Sequence, residues 1–236
     1  MEEADRELIA ALRERLQRRA DLEQAEAMQA YMKCAMPFAG VRAPAQQRIF
    51  REVFAAHPLA SFGAWRATVL TLAREAQVRE ERYAAIALAE ARRYGEYQTL
   101  AALPIYEELI VSGAWWDLVD GPAVHGVGGL HRSFPEPMAD VLRRWSVADD
   151  RWLRRAAILA QTQHKAATDE ALLFACIEPN LRDPDFFIRK AIGWALREYA
   201  KTRPEAVRDY VRAHEDALSP LSRREALKHL GETSTG

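Results

Sequence analysis

Apolar residues recur along this chain at intervals of three and four, the spacing of amphipathic helices, and no stretch shows the alternation typical of a strand. Segments rich in Ala, Leu, Glu and Arg lie between Gly and Pro positions, and proline ends or opens a helix at many of the breaks. The pattern therefore predicts an all-α fold. Helices are predicted over residues 4–19, 21–34, 43–56, 62–74, 80–94, 103–112, 114–125, 136–146, 149–163, 168–178, 184–201, 204–214 and 219–230.

A weak internal repeat relates several of these helices. The segment Arg154-Arg155-Ala156-Ala157-Ile158 is similar to Arg189-Lys190-Ala191-Ile192-Gly193 after a shift of 35 residues. Helix pairs with this period are typical of an α-solenoid of HEAT or armadillo type, whose inner helices line one concave surface. We therefore expect a single domain over residues 1–236 with about six HEAT-like repeats and a concave binding face. A non-repetitive helical bundle is the alternative. The shift brings four positions into register: Asp120, Arg155, Lys190 and Glu225.

Two predicted helices carry a tryptophan on the face opposite their apolar stripe. With an advance of about 100° per residue, Trp116 and Asp120 are i,i+4 neighbours on the polar side of the helix over 114–125. In the helix over 184–201, Trp194 shares a narrow polar face with three cations. A large aromatic ring beside a carboxylate or among cations, away from the core, indicates a recognition site. The three cations are Lys190, Arg197 and Lys201.

Composition places the chain among soluble globular proteins, because 49% of its 236 residues are hydrophobic and 28% are charged. No apolar run approaches the ~18 residues of a membrane span, so a cytoplasmic protein without a membrane partner is expected. Cys34 and Cys176 lack the spacing of a zinc site or a disulfide framework. No metal or other cofactor is predicted, and a monomer is expected. The histidines show no HxxxH or HxH pairing, so surface or capping roles are expected for His57, His125, His131, His164, His214 and His229.

The net charge of −1 hides an asymmetry between the two parts of the chain. Residues 142–236 hold 17 Lys and Arg against 14 Asp and Glu, whereas residues 1–141 hold 16 against 20. Basic residues on one face suit a phosphate backbone, because guanidinium forks pair with phosphate oxygens and binding releases counterions. A solvated charged face is the alternative, and the tryptophans on that face argue against it. The candidate DNA-binding cations are Arg155, Lys190, Arg197, Lys201, Arg223 and Arg224.

A carboxylate within a phosphate-binding surface is tolerable only if it meets a positive charge there. One alternative for Asp120 is a salt bridge to Arg155, one repeat away. The other is that it stabilises a cation forming on the ligand, as when an N-glycosidic bond breaks and the deoxyribose becomes oxocarbenium-like. The indole faces of Trp116 and Trp194 would add cation–π attraction. Asp120 could also orient the attacking water as a general base.

The chain resembles the AlkD family of bacterial DNA alkylation repair glycosylases, which are HEAT-like α-solenoids. The agreement covers most of the chain and is far more specific than a lone short motif. The matching segments are Ala30-Tyr31-Met32-Lys33, Glu107-Glu108-Leu109-Ile110-Val111, Trp115-Trp116-Asp117, Val119-Asp120, Arg155-Ala156-Ala157-Ile158-Leu159, Ala191-Ile192-Gly193-Trp194, Leu196-Arg197-Glu198-Tyr199-Ala200-Lys201 and Pro220-Leu221-Ser222-Arg223-Arg224-Glu225-Ala226.

The resemblance implies excision of cationic N3- and N7-alkylated purines, such as 3-methyladenine and 7-methylguanine, from double-stranded DNA. The family is also thought to act without fully flipping the base into a pocket, unlike most glycosylases. The resemblance implies that Asp120 is the catalytic aspartate and that Trp116 and Trp194 contact the sugar. The resemblance also implies that Arg155 holds a phosphate near the lesion, that Tyr31 lies near the DNA and that Arg197 contacts the DNA backbone.

One segment departs from the family pattern. Gly121-Pro122 follows Asp120, and because proline cannot donate a hydrogen bond to the carbonyl of Leu118, a bend in the helix is predicted. The run Gly126-Val127-Gly128-Gly129 predicts added flexibility. It is somewhat similar to the loop of helix-hairpin-helix glycosylases, but the surrounding pattern and their catalytic lysine are missing.

Two functions are compatible with the predicted surface. The first is a monofunctional alkylpurine DNA glycosylase, a hydrolase of base excision repair that leaves an abasic site. The second is a non-catalytic helical-repeat protein that binds structured DNA or a protein partner through the same face. The presence of Trp116, Asp120, Arg155 and Trp194 together favours the enzyme. Whether the lesion is a small methyl adduct or a bulky one is left open by the sequence.

Overall fold

The computed structural model describes residues 2–230, and every regular element within that range is a helix. The all-α prediction is confirmed. The α-helices are α1 Arg6–Gln17, α2 Leu22–Met32, α3 Ala43–Ala56, α4 Phe62–Arg74, α5 Arg79–Ala89, α6 Leu103–Gly113, α7 Trp116–Gly121, α8 Gly128–Ser133, α9 Pro135–Ser146, α10 Arg151–Leu159, α11 Glu170–Ile177, α12 Phe186–Ala200, α13 Pro204–Ala213 and α14 Pro220–Leu227. Short 3₁₀ turns cover Arg92–Tyr97, Leu100–Ala102, Lys165–Ala167 and Glu178–Asn180, and a π-helix covers Pro122–Val127.

Short polar side chains and prolines set where many of these helices begin. The carboxylate of Asp150 accepts a hydrogen bond from the backbone N–H of Trp152 at 2.7 Å, and Asp185 caps α12 in the same way. Proline stands in the first turn of α3, α9, α13 and α14, where its missing N–H is not needed. The predicted bounds of α3 and α4 match those of the structure. The helix predicted over 80–94 is shorter, because α5 ends at Ala89 and a 3₁₀ turn follows.

Contacts divide the chain into two compact units, Met1–Leu109 and Ile110–Gly236. In the first unit, apolar side chains of α1, α3, α4 and α5 form the core around the fully buried Trp65. This core also contains the carboxylate of Glu80, which accepts hydrogen bonds from the backbone N–H groups of Ala39, Gly40 and Val41 at 2.9, 2.9 and 3.1 Å. Glu80 thereby fixes the segment before α3. The assignment of residues 1–236 to one domain stays a prediction.

The second unit shows the predicted repeat directly. The helices α7, α10, α12 and α14 begin 35, 35 and 34 residues apart, and each packs against the next. The helices α9, α11 and α13 form a second row that packs against the first. Side-chain contacts follow the same period, because Asp120 pairs with Arg155 and Lys190 pairs with Glu225. These stacked helix pairs are the arrangement of a HEAT-like repeat protein, so the period inferred from the sequence is confirmed in this unit.

The segment after Asp120 is helical, where added flexibility was predicted. The missing N–H of Pro122 removes one α-helical hydrogen bond, and the chain continues through a π-helix directly into α8. A Cβ atom at Gly128 would lie 2.2 Å from the carbonyl oxygen of Ala160. Glycine is therefore needed here for close packing of α8 on the residue that follows α10. The prediction of a flexible segment over 126–129 is wrong for this reason.

Candidate active site

Asp120 lies in the last turn of α7, where a single arginine holds both of its carboxylate oxygens. Nε and Nη2 of Arg155 donate to Oδ1 and Oδ2 of Asp120 at 2.7 and 2.8 Å. Nη1 of Arg155 donates to the carbonyl oxygen of Phe187 at 2.5 Å. The side chain of Arg155 is 6% exposed and that of Asp120 is 18% exposed. The salt bridge that the sequence left as one alternative is thus present, and its two-pronged geometry fixes the plane of the carboxylate.

Two opposing influences act on the pKa of Asp120. Burial raises the pKa above its ordinary value, and the hydrogen bonds and positive charge of Arg155 oppose that rise. The nearby negative charge of Asp117 adds a smaller upward contribution. Because a guanidinium does not lose its proton in proteins, the fork of Arg155 always favours the ionised form of Asp120. Arg155 is therefore the group that keeps this buried carboxyl usable as an anion.

A cleft of about 330 Å³ opens beside Asp120. The side chain of Trp194, from α12, lines the same cleft, so the structure brings together two of the three predicted catalytic residues. Glu198, one turn after Trp194, also lines the cleft, together with hydrogen-bonding residues that were not predicted from the sequence. Its remaining lining residues are Gly121, Val124, His125, Thr162 and Gln163. The π-helix contributes to this site, because it carries His125 and Val124 to the wall beside Asp120.

Trp116, the third predicted catalytic residue, lies in the first turn of α7, one turn before Asp120. It is 37% exposed and is not among the residues that line the cleft. The preceding Trp115 instead packs against Phe187 and Trp152, with ring centroids 5.3 and 6.3 Å apart. The two adjacent tryptophans therefore divide as the helical periodicity predicts, one packed among aromatic rings and one at the surface.

Two of the predicted DNA-binding cations share one carboxylate. The Nζ atom of Lys190 lies 3.0 Å from Glu225, and Arg197 pairs with the other oxygen of the same side chain. The hydrogen bond from Lys190 is the main reason that the pKa of Glu225 lies below its usual value. Glu225 is held close to α12, since a Cβ atom added at Gly193 would lie 2.5 Å from the Cβ atom of Glu225. The charge of this surface is therefore lower than a count of its cations suggests.

The remaining predicted cations of the second unit differ in their partners. Lys201 pairs with Glu198 at 2.7 Å, and Arg223 pairs with Glu215 at 2.5 Å. Arg224 is exposed, and its side chain has no ion-pair or hydrogen-bond partner among residues 2–230. It is the member of the predicted set whose guanidinium is most directly available to a phosphate.

Tyr31, the one predicted DNA contact outside the second unit, lies near the end of α2. It is 78% exposed. Its exposure suits a contact with a ligand, and its role stays a prediction.

His131 and His164 are buried, where surface or capping roles were expected. Nδ1 of His131 lies 3.0 Å from Nε2 of His164, and the two rings are stacked with centroids 5.1 Å apart. Burial lowers the pKa of His131 and brings the pKa of His164 down to about 4. The expectation was wrong because these residues are 33 positions apart and meet only when α8 packs on the segment that follows α10.

Neither a metal centre nor a membrane span emerges from the described part of the chain. Within residues 2–230, no group of three or more His, Cys, Asp and Glu side chains is placed to hold a metal ion. None of the helices in that range has the length and apolar character needed to cross a membrane.

Comparison with known proteins identifies the family. A family model described as DNA alkylation repair enzyme matches residues 12–230. The chain belongs to the DNA alkylation repair enzyme family. The solved structure of a predicted DNA alkylation repair enzyme from Enterococcus faecalis is similar to it, with 29% sequence identity and a TM-score of 0.82. This similarity covers 91% of the present chain and 98% of the other. No curated protein matches the sequence.

Membership of the DNA alkylation repair enzyme family confirms the resemblance that the motifs indicated. It supports a role in the repair of alkylated DNA, with DNA as the substrate. The similarity to the Enterococcus faecalis structure supports the helical-repeat fold.

Proposed function

We propose that this member of the family is a monofunctional DNA glycosylase that hydrolyses the N-glycosidic bond of purines alkylated at N3 or N7 in double-stranded DNA. One observation carries the proposal: Asp120, fixed by the fork of Arg155, lines the same cleft as the indole of Trp194. That arrangement offers a localised negative charge and an electron-rich aromatic face to a cation. A deoxyribose that is losing its base is such a cation.

The chemistry of the lesion explains why a carboxylate is sufficient. An N3- or N7-alkylated purine carries a positive charge, so the C1′–N9 bond can break with its electron pair passing to the base, which leaves as a neutral molecule. The sugar then carries the positive charge, water adds its oxygen to C1′, and the water passes a proton to the carboxylate of Asp120, acting as general base, to leave an abasic site. No general acid is needed, and a preorganised anion is the main contribution the protein has to make.

Asp120 can supply this negative charge even though both of its carboxylate oxygens are hydrogen-bonded to Arg155. Each carboxylate oxygen accepts one N–H from Arg155 and keeps a further lone pair, which can accept a hydrogen bond from the attacking water. An anion and a cation about 4 Å apart attract by about 4 kcal/mol at an effective dielectric constant of about 20. The guanidinium of Arg155 would lie farther from the sugar than the carboxylate does, so its repulsion offsets only part of that attraction. The same guanidinium keeps the carboxylate ionised and oriented.

The surface residues have roles in DNA binding in this proposal. Trp116 and Trp194 contact the damaged nucleotide, whose base is not fully flipped into a pocket. Arg155 positions Asp120 and can use its remaining N–H groups toward a phosphate near the lesion. The backbone contacts are assigned to Tyr31, Lys190, Arg197, Lys201, Arg223 and Arg224. The protein acts as a cytoplasmic monomer and needs no cofactor.

The direct test is release of free base from methylated duplex DNA in the presence of a metal chelator. We expect chromatography to detect free 3-methyladenine and 7-methylguanine with the wild-type protein and no release from unmodified duplex. Asp120→Asn should lower the rate more than it lowers DNA affinity. Asp140→Asn is the matched control, because it makes the same change at an exposed carboxylate on α9 that neither lines the cleft nor acts on the pKa of Asp120. DNA binding without base release by the wild type would favour the non-catalytic alternative.

A further inference from the structure

A cluster of arginines in the first unit is not used by the proposed function. A cleft of about 390 Å³ lies between the end of α1 and the middle of α3. Its lining consists of four arginines, one glutamate and one isoleucine, namely Arg15, Arg18, Arg19, Arg48, Glu52 and Ile49. The cations predicted from the sequence to bind DNA all lie in the C-terminal part of the chain, so this cluster was missed.

Two of the four guanidinium groups are already neutralised. Arg15 pairs with Glu52, and Arg18 pairs with Glu14 at 2.5 Å. The side chains of Arg19 and Arg48 are exposed and have no acidic or hydrogen-bonding partner among residues 2–230. The cleft therefore keeps an excess of two positive charges, and both belong to groups with all of their N–H donors available.

The helix end explains only part of this arrangement. Arg18 and Arg19 follow the last turn of α1, where cations interact favourably with the negative end of the helix dipole. Arg48 lies in the middle of α3, where no such effect operates, and it lines the same cleft. Placing Arg48 in the same cleft as Arg19, whose charge is also not neutralised, costs repulsion in the free protein. An oxyanion bound between Arg19 and Arg48 would remove that repulsion.

We propose that Arg19 and Arg48 form a second binding site for the phosphodiester backbone of DNA. The ligand class follows from the geometry and from the family together. Guanidinium forks match the oxygens of phosphate, and the family's substrate is a polyanion that presents such groups at regular intervals. The site would hold the duplex through its backbone, without regard to sequence or damage.

The salt dependence of binding to an undamaged duplex oligonucleotide tests this site. Each phosphate contact contributes about 0.9 to the slope of log affinity against log salt, so loss of two contacts lowers the slope by about 1.8. Between about 50 and 200 mM salt, the full-length wild-type protein should therefore lose about twelvefold more affinity than the variant carrying Arg19→Gln and Arg48→Gln. Both positions are exposed, so thermal unfolding should be unchanged.

A matched control carries Arg66→Gln and Arg92→Gln, which remove two exposed arginines of the same unit outside this cleft. A slope for the Arg19 and Arg48 variant equal to that of the wild type or of this control would overturn the proposal. A second result would also overturn it: calorimetry shows that inorganic phosphate binds and that this binding requires Arg19 and Arg48, while the salt slope for DNA does not change when they are replaced. The inference requires only that the protein binds DNA. Absence of base release together with the predicted change in slope would therefore refute the glycosylase and leave this site standing.

Discussion

The ion pair between Asp120 and Arg155 has both a structural and a catalytic interpretation, and a double substitution separates them. Asp120→Asn alone leaves the charge of Arg155, whose side chain is 6% exposed, without its anionic partner. Breaking a buried pair in this way costs about 3–5 kcal/mol. In a chain of this size each kcal/mol of lost unfolding free energy lowers the midpoint of thermal unfolding by about 2–4 °C. The midpoint should therefore fall by about 10 °C. Base release should slow by about 10²–10³ through loss of the anion.

Adding Arg155→Met to Asp120→Asn removes the unpaired charge as well. Replacement of both members of a buried ion pair is often nearly neutral for stability, so most of the lost unfolding free energy should return. About 1 kcal/mol should stay lost, because the carbonyl of Phe187 no longer receives a hydrogen bond from Arg155. The rate of base release should not recover, because the carboxylate is still absent.

The assay pairs urea unfolding with single-turnover release of 7-methylguanine from methylated duplex DNA at saturating protein. Only in the double variant should the unfolding free energy return toward the wild-type value while the rate of base release stays low. Recovery of both quantities there would show that Asp120 serves the fold alone, and the proposed mechanism would then be wrong. Arg155→Met alone provides a second readout, since burial of Asp120 is then unopposed. Its activity should require a higher pH than that of the wild type.

Two further predictions concern stability. Glu80→Gln replaces a buried acceptor of three backbone hydrogen bonds with a side chain that keeps only one oxygen acceptor. Urea unfolding should therefore show a loss of about 2–4 kcal/mol of unfolding free energy. An unchanged urea midpoint would contradict this role. The pKa of His164 is lowered to about 4 in the folded state against about 6.5 in the unfolded chain, and that of His131 is also lowered. Stability is therefore complete above about pH 6.5 and is lost as the pH falls toward 4, by about 2 kcal/mol at pH 5 from His164. Urea midpoints measured at about pH 6.5 and pH 5 should show the full loss in the wild type and in the exposed-site control His229→Gln, and a smaller loss in His164→Gln, to which only His131 then contributes.

Local pattern was enough to predict the helices and the period of the repeat. Apolar spacing and proline positions act over a few residues, and they gave the bounds of α3 and α4 as the structure has them. The same spacing separated packed Trp115 from exposed Trp116, and the 35-residue shift brought Asp120 into register with Arg155. Each of these predictions depends on the geometry of one helix or of its nearest neighbour in the repeat, which the order of residues already contains.

Contacts between helices decided the rest. Pro122 and the glycines after it carry local signals for a bend and a flexible segment, yet packing of Gly128 on Ala160 stabilises a continuous helix with a π turn. The neutralisation of Lys190 and Arg197 by Glu225 depends on how closely α14 approaches α12 at Gly193. The 35-residue register already places Lys190 opposite Glu225, whereas the second pairing, of Arg197 with the same carboxylate, depends on interhelical distances and side-chain rotamers that have no signature in the local sequence. The sequence therefore determined which residues could act, whereas the tertiary structure decided which of their charges are still available to a ligand.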